Sequence, residues 1–385
     1  MLFINKSDLL KKTSIIVVKK SVMEIYIDPD IRKATTLPST FYKSQSIYEQ
    51  LLEEILVPSW QFVGDSGLLP ELSYAYPFLL FEDSVDEPLM LVRDKEDTIH
   101  CLSNVCTHRG MFLIDKPGKY RLLSCKYHGR CFNMNGKFRS MPEFQSTENF
   151  PTEMDDLIAL KLGVLGDFLF TSLAPNLDFE MVFKPMLDRM SWFPFKDLVY
   201  NEEGSHIYDI KTHWALYCDN YLEGFHVPFV HPGLNQSLDY KEYDTELFDY
   251  CNLQLGVASE GADTFDLPSD SQDYGKGIFA YYWWVFPNMM FNFYTWGISV
   301  NIVEPVDINN TRVVFKTYLF KDERAKGFSK KDIHDTELED EEVVERVHLG
   351  LRSRLYKHGR FSPTKEKGVH QFHRLLAQAL NNKRT

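Results

Sequence analysis

Cysteine is scarce in this chain: six residues in 385, which excludes a disulfide framework as the source of stability. Long apolar runs are missing as well. No stretch approaches the ~20 residues of a membrane span, so no membrane is expected as a partner. Positive charge is the minority sign, with 42 Lys and Arg against 55 Asp and Glu and a net charge of −13. That balance argues against nucleic acid or an anionic surface as a partner. There is no Gly-x-Gly-x-x-Gly loop, hence no dinucleotide-binding module of the usual kind. Near the N-terminus the apolar run Ile15-Ile16-Val17-Val18 between lysines is too short for a signal-peptide core of ~7–15 residues. Residues 1–22 read as a non-native or flexible extension, with Met23 a possible start, and the protein is expected to be cytoplasmic.

What is present is a cluster of soft ligands. Cys106-Thr-His108-Arg109-Gly110 and Cys125-Lys-Tyr-His128-Gly129 each offer one thiolate and one imidazole from a tight loop. Four such ligands ask for a metal. A Rieske [2Fe–2S] centre takes two Cys on one iron and two His on the other, and two mixed pairs supply that division. A structural zinc site also accepts Cys2His2, although it usually pairs Cys with Cys and His with His. Gly110 and Gly129 follow the two histidines directly, where a tightly turning backbone would need conformations that a Cβ resists. The flanking residues, from Asn104 to Gly110 and from Cys125 to Gly129, resemble the Rieske signature, with Arg130 where many members have Trp.

The length suits two domains. Residues 23–60 form a lead-in segment, with a helix from Ser44 to Leu56 whose apolar stripe is Ile47, Leu51, Leu52 and Ile55. From 61 to 173 short apolar runs alternate with turn residues, and Asn135-Gly136 is a hairpin signal. This is an all-β domain with the four ligands on its loops. Residues 174–385 form the second domain, packed on by the lead-in.

A second constellation lies in that domain. Between Trp214 and Pro232 the chain contains Asp219, Asn220, Glu223, His226, Pro228 and His231. Glu223 and His226 are three apart and share a face if the helix continues. His231 is about 140° away on the same helix, and Pro228, by interrupting it, would let His231 turn back beside His226. Two histidines need a carboxylate to form the facial triad of a non-haem Fe(II) oxygenase. In the acidic run 337–345, Asp340 falls on a stripe with Val343, Val344, Val347 and Leu351, whereas Glu339, Glu341, Glu342 and Glu345 fall away from it. Asp340 is therefore the expected third ligand.

Taken together, these elements resemble the catalytic α subunit of a Rieske non-haem iron oxygenase from about Ile31 to the C-terminal helix. The resemblance implies an α+β fold, an all-β Rieske domain followed by a helix-grip domain of antiparallel sheet and helices. It implies a [2Fe–2S] cluster on Cys106, His108, Cys125 and His128, a mononuclear Fe(II) on His226, His231 and Asp340, and O2 as co-substrate. It further implies a homotrimer in which Glu223 bridges one subunit's cluster to the next subunit's iron. Asn220 and Asp219 are candidates for orienting the ligand helix. Electrons come from NAD(P)H through a separate reductase, since this chain has no second ferredoxin-like Cys set. Glu rather than Asp at position 223, and the tail Gly359–Thr364 with its apolar helix, resemble the branch acting on quaternary ammonium compounds.

The aromatic hairpin 281–296 bears on the small-molecule substrate. Alternation puts Tyr281, Trp283 and Val285 on one face and Tyr282, Trp284 and Phe286 on the other. Tyr281, Trp283, Phe293 and Trp296 are taken as candidates for an aromatic box that would hold a trimethylammonium group, although aromatics in strands are more often plain core. Two readings compete with hydroxylation or oxidative demethylation of such a compound: an aromatic-ring hydroxylase, and a Rieske electron carrier with no mononuclear iron.

Overall fold

A computed structural model describes residues 25–381; the expected 1–22 extension and Met23 lie outside them. In the lead-in, Ser44 caps the helix Gln45–Leu51 by accepting from the Ile47 N–H, and a wider turn, Leu52–Leu56, continues it. Ile47, Leu51 and Ile55 are buried as the periodicity requires, Leu52 is half-buried, and Tyr48 joins the buried side. They pack into one core with Trp214, Ala215, Phe372 and Leu376 from two later helices.

The next stretch is antiparallel sheet throughout. A five-stranded sheet has the order Gly118–Lys119, Tyr74–Leu80, Glu87–Arg93, Ile99–Ser103 and Ala159–Leu160; a three-stranded sheet joins Leu123–Ser124, Cys131–Phe132 and Phe138–Ser140. Asn135-Gly136 turns the last pair, with Gly136 at φ 83°. Met90, Val92, Leu102, Leu123 and Phe132 form the core between these sheets, and Cys106 and Cys125 are part of it.

A seven-stranded antiparallel sheet organises the remainder. Its order is Leu198–Ile210, Asn310–Phe320, Gly297–Asp307, Met289–Tyr294, Ile278–Val285, Cys251–Val257 and Asp244–Leu247. The strand alternation gives this sheet two unlike faces. On one, Tyr281, Trp283, Val285, Phe291, Phe293, Ile298 and Val300 are sealed against Phe62, Phe168, Phe170 and the Phe179–Arg189 helix. The other carries a row of paired polar and phenolic residues, Gln254 opposite Tyr282, Tyr282 opposite Asn292 and Asn292 opposite Ser299. That face is covered by the helices Trp214–Tyr221, Lys330–Leu351 and Lys367–Asn381. Ser362 followed by Pro363 is a helix-start signal in the sequence, but the C-terminal helix starts later. Residues 362–366 form a turn in which the Ser362 hydroxyl accepts from the Lys365 N–H, and the helix proper begins at Lys367. Of the apolar positions read from the sequence, Val369, Phe372, Leu376 and Leu380 are buried and Leu375 is half-buried.

All six cysteines are free, and Cys131 is the one not fully buried. Among the described residues no helix is long and apolar enough to cross a membrane.

Candidate functional site

The two loops at 106–110 and 125–129 are built alike. In each, the glycine N–H donates to the cysteine carbonyl four residues back at 3.0 Å, and Gly110 and Gly129 both have φ 74°. That left-handed conformation is the one a glycine adopts without cost. The ligands fall into two pairs. Cys106 and Cys125 are buried and in contact, and burial together with the neighbouring thiol pushes Cys106 upward. His108 and His128 are more exposed, with ring centroids 4.9 Å apart. Burial, then the positive charge of His128, Arg130 and Arg109, holds His108 below its ordinary value and so neutral. No three of these donors lie within 4.8 Å of one another, as they would around one tetrahedral zinc. Two thiols on one side and two imidazoles on the other fit a two-iron cluster. Arg130 occupies an aromatic slot: its guanidinium lies over Phe138 at 5.0 Å and over Phe132 and Phe150 at 5.6 Å. It also pairs with Asp155 at 2.7 Å. A planar cation thus packs against Phe rings where many relatives of the motif have Trp.

The second constellation also converges, by a path the periodicity did not give. The helix from Trp214 ends at Tyr221, so Glu223 and His226 do not share a helical face. They meet across a loop, where Glu223 accepts from the His226 backbone N–H at 3.1 Å and its other oxygen faces His226 Nδ1 at 2.8 Å. Pro228 does not break a helix. It sits in the first turn of the short helix Val227–Val230, where its missing N–H is not needed, and His231 follows that turn. His226 Nε2 and His231 Nε2 are 3.2 Å apart, and Asp340 Oδ1 lies 2.9 Å from His231 Nε2 and 3.6 Å from that of His226. Among the described residues these three are the group whose donor atoms all fall within 4.8 Å.

The partners of the outer ring nitrogens suit this group to a cation. Glu223 holds His226 Nδ1, and Glu339 holds His231 Nδ1 at 2.7 Å. Each Nδ1 therefore carries the proton and each Nε2 presents a lone pair. Two lone pairs and a carboxylate oxygen facing one another repel unless a positive ion lies among them. Burial alone would lower His231, but Asp340 and Glu339 outweigh it and its pKa is raised: without a metal ion the two carboxylates draw a proton to this ring, at the place a metal cation would take. Asn220 donates to Asp340 Oδ1 at 2.5 Å.

Several expectations need correction. Asp219, a candidate for orienting this helix, acts away from the triad and not beside it: one position along a helix is a rotation of about 100°, and Asp219 accepts from the Tyr42 hydroxyl and faces His373 Nε2, both at 2.9 Å. It ties the helix Trp214–Tyr221, which leads into the two histidines, to the lead-in and to the C-terminal helix. The buried stripe of Lys330–Leu351 runs through Glu337, Val344, His348 and Leu351, leaving Val347 exposed and Asp340 at its edge. Glu339, expected to face away, is the partner of His231. Tyr281, Trp283 and Phe293 do not line a pocket. They belong to the sealed face, because the rings packed there leave no room for a ligand.

The cavity beside the triad, about 620 Å³, is walled instead by Tyr282, Tyr294, Trp296, Tyr243 and Phe279, with Asn292, Ser299 and Asn301 on its floor. Of the four predicted pocket residues Trp296 alone lines it, stacked on Tyr294 at 4.7 Å. The signal for the correct face was Asn292, which shares it with Tyr294. Glu337, also in the wall, is buried, and it accepts from the Tyr217 hydroxyl at 2.6 Å.

Residues 60–151 match the Rieske [2Fe–2S] domain, and residues 195–382 match the catalytic domain of the ring-hydroxylating alpha subunit. Over 371 residues the chain is 30% identical to the chloroplastic choline monooxygenase of Beta vulgaris, covering 92% of this chain and 79% of the relative. The chain belongs to the Rieske non-haem iron oxygenases. The carnitine monooxygenase oxygenase subunit of Escherichia coli K12 is 28% identical, with 91% and 95% covered. A crystal structure of a quaternary ammonium Rieske monooxygenase superposes with a TM-score of 0.75 at 25% identity, covering 91% of this chain and 96% of that one. Naphthalene 1,2-dioxygenase from Rhodococcus shares the fold at a TM-score of 0.72 and 17% identity. As an oxygenase of this family the protein uses a [2Fe–2S] cluster and a mononuclear iron, consumes O2 and takes its electrons from a separate protein.

Anaerobically purified protein is expected to hold about three irons and two acid-labile sulfides per chain. Asp340→Ala should lower iron to about two with sulfide unchanged, and Cys106→Ser should remove the sulfide. Metal and sulfide assays read both, and an Asp340→Ala protein that keeps the third iron would reject the triad.

Proposed function

We propose that the enzyme hydroxylates a quaternary ammonium compound at a carbon near the nitrogen. The observation that carries this reading is the aromatic wall beside the triad. Tyr282 and Tyr294 stand edge to face at 5.9 Å, Tyr294 stacks on Trp296, and Tyr243 lies 6.4 Å from Tyr282. Electron-rich ring faces attract an alkylammonium by up to about 2 kcal/mol when both are desolvated, and the bulky head needs no hydrogen bond. The relatives that act on choline and carnitine support the same substrate class.

In this reading Cys106, His108, Cys125 and His128 hold the cluster, and His226, His231 and Asp340 hold the iron. Bound there, the cluster relays single electrons and the iron activates O2. The chain's own residues do the rest. Glu223 and Glu339 keep the Nδ1 protons in place, so both imidazoles present a lone pair inward. Asn220 fixes the rotamer of Asp340 through its amide. The aromatic wall excludes water and sets the ammonium end of the substrate, which decides the C–H bond turned toward the triad. Overall, one C–H bond, O2, two electrons and two protons give C–OH and water. If the hydroxylated carbon bears the nitrogen, the product falls apart to an aldehyde and a demethylated amine; if it already bears a hydroxyl, it is an aldehyde hydrate.

We further infer a cytoplasmic homotrimer, with 61–173 and 174–385 as its working units and 23–60 packed on the second. Phe225 and Phe229 are exposed beside Glu223, and Met111, Phe112 and Tyr127 are exposed around the cluster loops. Apolar groups grouped beside two redox sites suit a subunit contact that joins them. Glu223, next to His226, would then lie on the electron path from a neighbour's cluster.

Tyr294→Ala should weaken binding of a trimethylammonium substrate roughly tenfold with little loss of stability. Trp283→Ala, on the sealed face, should cost about 3–5 kcal/mol of stability. Substrate titration and denaturant unfolding separate the two, and the opposite pattern would return the pocket to the other face. Sedimentation should give a trimer; a monomer at micromolar concentration would reject the inter-subunit path.

A further inference from the structure

The cavity wall is acidic to a degree that the triad does not require. Glu223, Glu337, Glu339 and Asp340 lie around its metal-binding end, and Asp263, Asp332 and Asp335 at exposed positions of its lining. No arginine lines it among the described residues, and the one lysine, Lys331, is exposed and already paired with Asp335 at 2.5 Å. A divalent ion at the triad still leaves an excess of negative charge.

Glu337 stands out within this set. It is buried, with one oxygen engaged by Tyr217 and the other, Oε1, without any hydrogen-bond partner among the described residues. Burial, then the charge of Asp340, pushes its carboxyl well above the usual range, the response of a buried acid with no cation beside it. A seated cation would draw it back. The six other carboxylates of the lining face a single paired ammonium. The floor opposite is neutral: Gln254, Asn292, Ser299 and Asn301.

A substrate with a carboxylate at its far end would bring another negative charge into this wall with no cation to meet it, and a buried unpaired charge is strongly unfavourable. We propose that the cavity selects a permanent cation carrying no carboxylate, a choline-like alcohol rather than a betaine, and that Glu337, positioned by Tyr217, enforces the choice. The proposal rests on the quaternary-ammonium reading and narrows it.

The test is titration calorimetry on the full chain with iron and cluster loaded, using choline, glycine betaine and the neutral isostere of choline in which carbon replaces nitrogen. Choline should bind at least about tenfold more tightly than glycine betaine. Glu337→Gln should narrow that gap to about threefold or less by improving betaine binding, whereas Glu337→Asp, which keeps the charge, should preserve it. An isostere that matches choline overturns the quaternary-ammonium reading and this proposal with it. Glycine betaine matching choline while the isostere does not overturns this proposal alone. So does a gap that Glu337→Gln leaves unchanged in protein retaining its metals, or one that Glu337→Asp abolishes.

Discussion

Two imidazole lone pairs and one carboxylate oxygen, held within 2.9–3.6 Å of each other, repel, and much of the second domain serves to keep them there. The Trp214–Tyr221 helix is anchored from behind by Asp219 through Tyr42 and His373 and delivers Asn220 to Asp340 from its other side. The loop and short helix that follow aim His226 and His231 at one point. Glu223 and Glu339 then fix which nitrogen of each ring is free. Without a cation this arrangement is unfavourable; with one, each repulsion becomes a bond.

The seven-stranded sheet divides its two faces between stability and chemistry. One is sealed by aromatic and aliphatic side chains against strands and a helix from earlier in the chain. The other mixes phenols and amides in register across four strands and forms the cavity floor. Because strand side chains alternate, a single hairpin supplies Trp283 to the first face and Tyr282 to the second. The residues sealed in the core therefore hold the cavity-lining ones in place.

The candidate ligand sets were legible because each is a short-range pattern of rare residue types: Cys-x-His, Cys-x-x-His, and two histidines five apart near a late acidic helix. Two domains followed from the length, and the α+β architecture from the resemblance that those patterns carry. What was not legible depended on facts beyond the local pattern. Which face of the 281–296 hairpin met the core was set by Phe62, Phe168 and Phe183, which are far away in sequence. Asn292 was the local hint, since an amide is costly to place in a wholly apolar core. The stripe expected on the acidic helix includes Val347, which is exposed; starting from Val344 and Leu351, seven apart, Glu337 falls on the same line. Asp219 and Asn220 looked equivalent as neighbours, yet a helix sends adjacent side chains in different directions.

The central claim is that one chain couples a Rieske cluster to hydroxylation at a separate metal beside a cation-binding cavity. A single-turnover measurement addresses it without a reductase. Protein loaded with iron and cluster is reduced chemically, freed of reductant, and mixed with O2 and choline while cluster absorbance and product are followed. The account predicts that the cluster reoxidises rapidly when choline is present and that product forms with it, neither occurring in Asp340→Ala. Reoxidation at the same rate without choline, and with no product, would contradict it and leave an electron carrier.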